Sequence, residues 1–159
     1  MTIALYPGSF DPMTYGHLDI VTRASRLFER VVVAAFDRPN KKLLFDVAER
    51  VELLRIATQG LPNVEVTSYS ILTVQYAQQI GAGVMVRGLR AGDFEHELLL
   101  AQANQTLAPE IEVVALMTPP HLSFVSSSIV RDIAAHGGDV SAFVPPHVAA
   151  ALARATRPA

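Results

Sequence analysis

The chain has 159 residues, half of them apolar and 18% charged, with a formal net charge of −2 and no cysteine. That is room for one domain with a substantial core and too little for two comfortable ones. No global field favours nucleic acid or an anionic membrane, and the missing cysteines exclude disulfides, thiolate metal sites and cysteine nucleophiles.

The opening residues lack the basic-then-apolar pattern of a secretory signal. The longest apolar runs, such as "VVVAAF", fall far short of the roughly 20 residues a membrane helix needs. The expectation is a soluble cytoplasmic protein with no membrane segment and no nucleic-acid partner.

Residues 2–6 read as a first strand, followed by "YPGSFDPMTYGH", a turn longer than a typical strand-to-helix connection. In it Gly8 permits close approach of a ligand to the backbone, and Ser9 adds a hydroxyl. Thr14 can cap a helix that begins near Tyr15, which puts Gly16 and His17 in its first turn. Residues 17–28 then place Leu18, Val21, Ala24, Leu27 and Phe28 on one face. A second strand covers 30–36. The loop "RPNKKLLF", 38–45, carries Lys41 and Lys42, which suit either a solvated loop or an anion site. Asp46 caps a helix over 46–58 with Val47, Val51, Leu54 and Ala57 as its stripe.

A strand at 63–67, a helix at 72–80 and a strand at 83–87 follow. Then "VRGLRAGDFEHE", 86–97, places Arg87 and Arg90 around Gly88 at a helix start. Two guanidiniums there either grip phosphate oxygens in bidentate fashion or pair with Asp93, Glu95 or Glu97. The helix at 93–107 turns Leu98, Leu99, Ala101 and Ala103 toward a core. After a strand at 111–117, "SFVSSSIVRD" opens a helix over 126–136 with three hydroxyls. One serine is explained by capping, and three leave donors over for a phosphate. The apolar tail "FVPPHVAAALA", with a helix at 145–154, packs either internally or at a subunit interface.

The order β-α-β-α-β-α-β-α-β with a helical tail implies an α/β fold. It is a single-domain, Rossmann-like, doubly wound parallel five-stranded sheet with C-terminal helices, spanning 1–159. The β-branched runs suit strands buried on both faces. Ligands of such sheets bind beyond the carboxyl ends of the strands. Four strand ends here offer Ser9 and His17, Lys41, Arg87 and Arg90, and the serine run. Neither the dinucleotide fingerprint nor the P-loop pattern is present, yet the convergence of donors and cations in a net acidic chain points to a phosphate-rich ligand.

These residues carry a resemblance. "GSFDPMTYGH" resembles the T-x-G-H motif of the nucleotidyltransferases, and "SFVSSSIVR" its serine-rich partner. With "NKKLLF", "RGLRAGDFEHE" and "GGDV", the chain resembles the bacterial phosphopantetheine adenylyltransferases from residue 3 to about 150. The resemblance implies adenylyl transfer from ATP to 4′-phosphopantetheine, giving 3′-dephospho-coenzyme A and pyrophosphate. It implies that His17, Lys41, Arg90 and Ser128 act at the reacting phosphates. Ser9, Phe10, His17, Gly88, Leu89, Arg90 and Glu97 would bind ATP, together with Leu122, Ser123, Phe124, Val125, Ser126, Ser127 and Ser128. Ser9, Lys41, Thr73 and Arg87 would hold phosphopantetheine. Mg2+ carried on the ATP phosphates and a homohexamer are likewise implied by the resemblance, with no metal ligand assigned to a side chain. The chain departs from the family at Gly92, which stands alone where one residue more is common, and at Leu122, where an aromatic is usual.

A phosphate monoester is already an anion near neutral pH, so the site must align two anions and neutralise growing charge, without a catalytic carboxylate pair. Two rivals remain at this stage: a nucleotidyltransferase using CTP or another acceptor, and a nucleotide sensor without turnover. The joint presence of His17 and the serine run favours chemistry, since a sensor needs no groups at the α-phosphorus.

Overall fold

Five β-branched runs become five parallel strands in the order β3-β2-β1-β4-β5 in a computed structural model that describes residues 2–37, 40 and 42–156. The strands are β1 (Ile3–Gly8), β2 (Arg30–Phe36), β3 (Val64–Tyr69), β4 (Val84–Leu89) and β5 (Glu112–Met117). Between and after them lie α1 (Tyr15–Leu27), α2 (Val47–Ala57), α3 (Thr73–Gln79), α4 (Phe94–Leu107), α5 (Ser127–Ala135) and α6 (Pro146–Ala155). Short 3₁₀ turns at Ala91–Asp93 and Pro120–Leu122 lead out of β4 and β5.

The alternation of side chains along a strand divides the core into two layers. Ala4 and Tyr6 of β1 and Val31, Val33 and Ala35 of β2 face α1, α2, α5 and α6. Leu5, Val32 and Ala34 face the opposite way, with Val74 and Ala77 of α3 and Ala108 after α4. This is the doubly wound sheet expected from the sequence. The expectation of strands buried on both faces holds for β2, whose five central residues are all buried, but not for β3 and β5. Those two are the sheet edges, and Glu65, Ser68, Glu112 and Met117 are exposed on them.

Helix stripes follow the same logic with two corrections. On α1, Val21 and Ala24 are buried and Leu18 and Phe28 pack against the core, but Leu27 is exposed and Ile20 takes the buried place. On α4 no residue is buried: Leu98 and Leu99 are 45% and 65% exposed, Ala103 is exposed and Ala101 only half-buried. Three consecutive leucines, Leu98 to Leu100, point around the helix and cannot all meet a sheet on one side. No helix among the described residues is long and apolar enough to cross a membrane.

β1 sits where the connections turn back, with β2 on one side and β4 on the other. It pairs with β2 along its whole length, from Ile3–Arg30 to Gly8–Ala35. With β4 it pairs at Ala4–Val84 and Leu5–Met85. Beyond that point the two strands are bridged by a side chain, Arg87, whose Nη1 donates to the Pro7 carbonyl at 3.1 Å. A parting of strands at the reversal of strand order is where open parallel sheets take ligands.

Candidate active site

The strands part above a cleft of about 330 Å3, whose walls are the turn after β1, the start of α1, the end of β4 and the start of α5. The turn is shaped by two constraints. Phe10 adopts φ 49°, a left-handed conformation that costs a non-glycine residue about 1–3 kcal/mol unless its surroundings fix it. Its ring packs back over Gly8, where an added Cβ would lie 2.9 Å from the Phe10 ring, so that position excludes a side chain.

Thr14 caps α1 as expected, but the motif does more than cap. The Thr14 side chain accepts from the His17 amide at 3.4 Å, and His17 Nδ1 accepts from the Thr14 amide at 3.0 Å. This is a reciprocal capping box with histidine in the place usually held by glutamate or glutamine. An Nδ1 that accepts a backbone N–H carries no proton, so the neutral ring is protonated at Nε2. The spacing T-x-G-H is thus the N-cap-to-N3 spacing. It fixes both the orientation and the tautomer of a ring that lines the cleft.

Opposite stands the serine run. Ser126 caps α5 by accepting from the Ile129 amide at 3.2 Å, and Ser127 donates to the Pro12 carbonyl at 2.7 Å. Ser128 Oγ accepts from Arg131 Nη2 at 3.5 Å and has no acceptor for its own proton among the described residues. Two of the three hydroxyls therefore hold the fold together, which corrects the expectation that all but one are left over. The start of α5 nonetheless faces the start of α1 across the cleft, bringing two sets of helix N-terminal amides to one space.

Both arginines line the cleft, and both are paired. Arg87 makes a two-pronged ion pair with Glu97, each N–O distance 2.7 Å. Arg90 makes one with Asp93, at 2.6 and 3.1 Å, and also donates to the Val125 carbonyl at 3.2 Å. The pairing alternative left open by the sequence is therefore the one seen, and the cleft holds two carboxylates beside its two guanidiniums. Burial alone would lower the Arg87 pKa, but the hydrogen bond and charge of Glu97 outweigh it and raise it, so the guanidinium is firmly charged. Beneath the cleft, burial pushes the Tyr6 phenol well above its ordinary range, which makes it a neutral group in a charged setting.

Of the expected site residues, Ser9, Phe10, His17, Arg87, Gly88, Arg90 and Glu97 line this one space, as do Leu122, Val125 and Ser126 to Ser128. Leu89, Ser123 and Phe124 lie beside it without lining it; Ser123 Oγ donates to the Pro120 carbonyl at 2.9 Å and Phe124 is edge-on to Phe143. Thr73 opens α3, its hydroxyl 3.0 Å from the Tyr69 phenol, and Tyr69 in turn lies within the electrostatic reach of Arg87. Lys41 lies outside the described residues. Asp93, named only as a pairing partner, also lines the cleft, as do Tyr6 and Thr118, which were not anticipated. Tyr6 reads as core because it sits in an apolar strand, and it is in fact buried; only the parting of β1 from β4 lets it border the cleft floor.

Comparison with known proteins gives the family to which the chain belongs. Residues 5–133 match the cytidylyltransferase-like family. A protein of Roseiflexus sp. (strain RS-1), named phosphopantetheine adenylyltransferase, is 61% identical over 156 residues, covering 98% of each chain. The chain belongs to the phosphopantetheine adenylyltransferase family. A Chloroflexus aurantiacus protein of the same name is 58% identical and covers 96% of this chain and 95% of its own. Among solved structures, the Plasmodium falciparum nicotinic acid mononucleotide adenylyltransferase in complex with NaAD shares the fold. Its TM-score is 0.67 at 16% identity, with 96% of this chain and 95% of that one covered.

Proposed function

We infer that this chain transfers the adenylyl group of ATP to 4′-phosphopantetheine, giving 3′-dephospho-coenzyme A and pyrophosphate in coenzyme A synthesis. The observation that carries the reading is the meeting, where β1 and β4 part, of two helix N-termini, an Nε2-protonated histidine and two guanidiniums. The acceptor phosphate has a second pKa of about 6 and is an anion at neutral pH, so no general base is required. One of its oxygens forms the new bond to the α-phosphorus. The bond from that phosphorus to the bridging oxygen breaks, and its electron pair leaves with pyrophosphate.

In this reaction His17 donates Nε2–H to the ATP phosphates, where charge grows toward the leaving group, and Lys41, Arg90 and Ser128 act beside it. Ser9 and Phe10 contact ATP, with Ser9 also near the acceptor phosphate. Gly88, Leu89, Arg90 and Glu97, with the loop from Leu122 to Ser128, hold the nucleotide. Lys41, Thr73 and Arg87 hold the acceptor. A phosphate presents the same forked oxygens to Arg87 as the Glu97 carboxylate, which supports an exchange of one for the other on binding. The chain works as one nucleotidyltransferase domain, a reading supported by the single continuous sheet.

Among the described residues no three histidine, aspartate or glutamate side chains come together to hold a metal, and the Asp93 and Glu97 carboxylates are each taken by an arginine. Mg2+ enters with ATP as part of the substrate, a reading that rests on the family resemblance. The active form is a cytoplasmic homohexamer. The exposed leucines of α4 support a contact between subunits, and the number of copies rests on the family resemblance.

Pyrophosphate release tests the reading, measured with ATP or CTP and with or without 4′-phosphopantetheine. Release that requires both ATP and phosphopantetheine is expected. Equal rates with CTP, or binding of ATP without turnover, would contradict it.

A further inference from the structure

The turn after β1 is held from below by groups that do not line the cleft. Arg50 of α2 is 1% exposed, yet its guanidinium meets three backbone carbonyls. Nε donates to Phe45 at 3.2 Å, and Nη1 to Ser9 at 2.7 Å and to Phe36 at 2.9 Å. Phe36 is the last residue of β2, and Phe45 immediately precedes the Asp46 cap of α2. One side chain thus ties both ends of the segment 37–44 to Ser9, which lines the cleft. Asp11, also 1% exposed, completes the clasp by accepting the amides of Leu44 and Phe45, each at 2.9 Å. Arg131 donates to the Asp11 carbonyl and stands 3.4 Å from its carboxylate.

Phe10, between Ser9 and Asp11, is the residue held at φ 49°. A left-handed phenylalanine persists only where its neighbours over-determine it, and strain of this kind gathers at functional sites. Here the residue before it is fixed by Arg50 and the residue after it by two amides and Arg131. Burial lowers the Arg50 pKa, but Asp11, Asp37 and Asp46 oppose that, and the group stays a cation.

We propose that Arg50, together with Asp11, is a positioning residue for adenylyl transfer. It sets the backbone of Ser9 and Phe10, and with it the Ser9 amide and hydroxyl, where the two phosphates meet, without touching either substrate. The proposal rests on the adenylyl-transfer reading above. A donor displaced by about 1 Å costs on the order of a hundredfold in rate. A bound triphosphate keeps its other contacts, so the loss falls on kcat rather than on ATP affinity.

The test compares the full-length wild type with Arg50→Lys and Asp11→Asn. Lysine keeps the charge but, as a point donor, cannot span three carbonyls; asparagine keeps the shape but can satisfy fewer amides. Expected for both variants are a wild-type circular dichroism spectrum, an ATP Kd within about threefold of wild type and a kcat lower by roughly ten- to a hundredfold. A lowered melting temperature with wild-type kcat and ATP Kd overturns the proposal, because the residues then serve stability alone. A loss confined to ATP affinity overturns it as well. Should Arg50→Lys not fold, Asp11→Asn decides on the same two readouts. A wild type that releases no pyrophosphate refutes the underlying activity instead, so the two failures are separable.

Discussion

Thr14 and His17 hold each other across one turn of α1, and the direction of the ring follows from that mutual grip. With Nδ1 engaged by the Thr14 amide, the donor is Nε2–H, and its loss should weaken the transition state more than bound ATP. His17→Ala is expected to lower kcat by about 2.7–4 kcal/mol, on the order of a hundred- to a thousandfold, with ATP Kd changed little. Glutamine carries its amide where Nε2 stands, whereas asparagine reaches only the Nδ1 position. His17→Gln should therefore recover more rate than His17→Asn, and the reverse order in kcat would refute the tautomer. Arg87 offers a second test. Its removal should weaken phosphopantetheine by roughly ten- to a hundredfold while sparing ATP, as a charge-assisted contact of about 1.5–3 kcal/mol implies. Isothermal calorimetry checks this with Arg87→Ala, and equal loss for both ligands would refute the division of the site. The sequence named both residues, since histidine on a first turn and arginine at a strand end are visible as types. It could not show that Glu97 and Asp93 fold back on the arginines, because ion pairing depends on three-dimensional direction.

At the scale of elements, the strands and helices were legible because period and caps agree. Thr14 and Asp46 cap the helices they were expected to cap, and one serine of the run, Ser126, caps α5. What sequence reading missed is which apolar residues find a partner. The leucines of α4 have the composition of a core helix, but the sheet lies along only one side of it. The contact of α1 with β4 is tighter than the sequence shows. At Gly88 an added Cβ would lie 3.0 Å from Ile20 Cγ1 and 3.7 Å from the Tyr6 hydroxyl. Gly88→Ala should overpack that contact by about 1–3 kcal/mol and push α1, with His17, away from β4. Thermal melting should show a fall of several degrees, roughly 2–4 °C per kcal/mol for a chain of this size. An unchanged Tm and unchanged kcat would mean that the helix has room there.

For the whole molecule, strand order was the step that composition could not supply. Alternation of strands and helices implies a parallel sheet, but not that β1 and β4 would be neighbours that separate after Leu5 and Met85. That separation makes the cleft, and it brings residues 80 positions apart, Pro7 and Arg87, into hydrogen-bond contact. The outer surface has its own test. A side chain 65% exposed, such as Leu99, contributes little to the fold of one chain, so Leu99→Asp should leave the circular dichroism spectrum intact. Light scattering should then report a mass near six chains for the wild type and a smaller species for the variant. An unaltered mass would remove α4 from the subunit contact.

The most direct measurement follows the acceptor's oxygens. Phosphopantetheine with its terminal phosphate oxygens labelled by ¹⁸O is incubated with unlabelled ATP, and the products are analysed by mass spectrometry. Attack of that phosphate on the α-phosphorus predicts dephospho-coenzyme A carrying every labelled oxygen and pyrophosphate carrying none. Label in pyrophosphate or AMP, or ATP bound with no dephospho-coenzyme A formed, would contradict it.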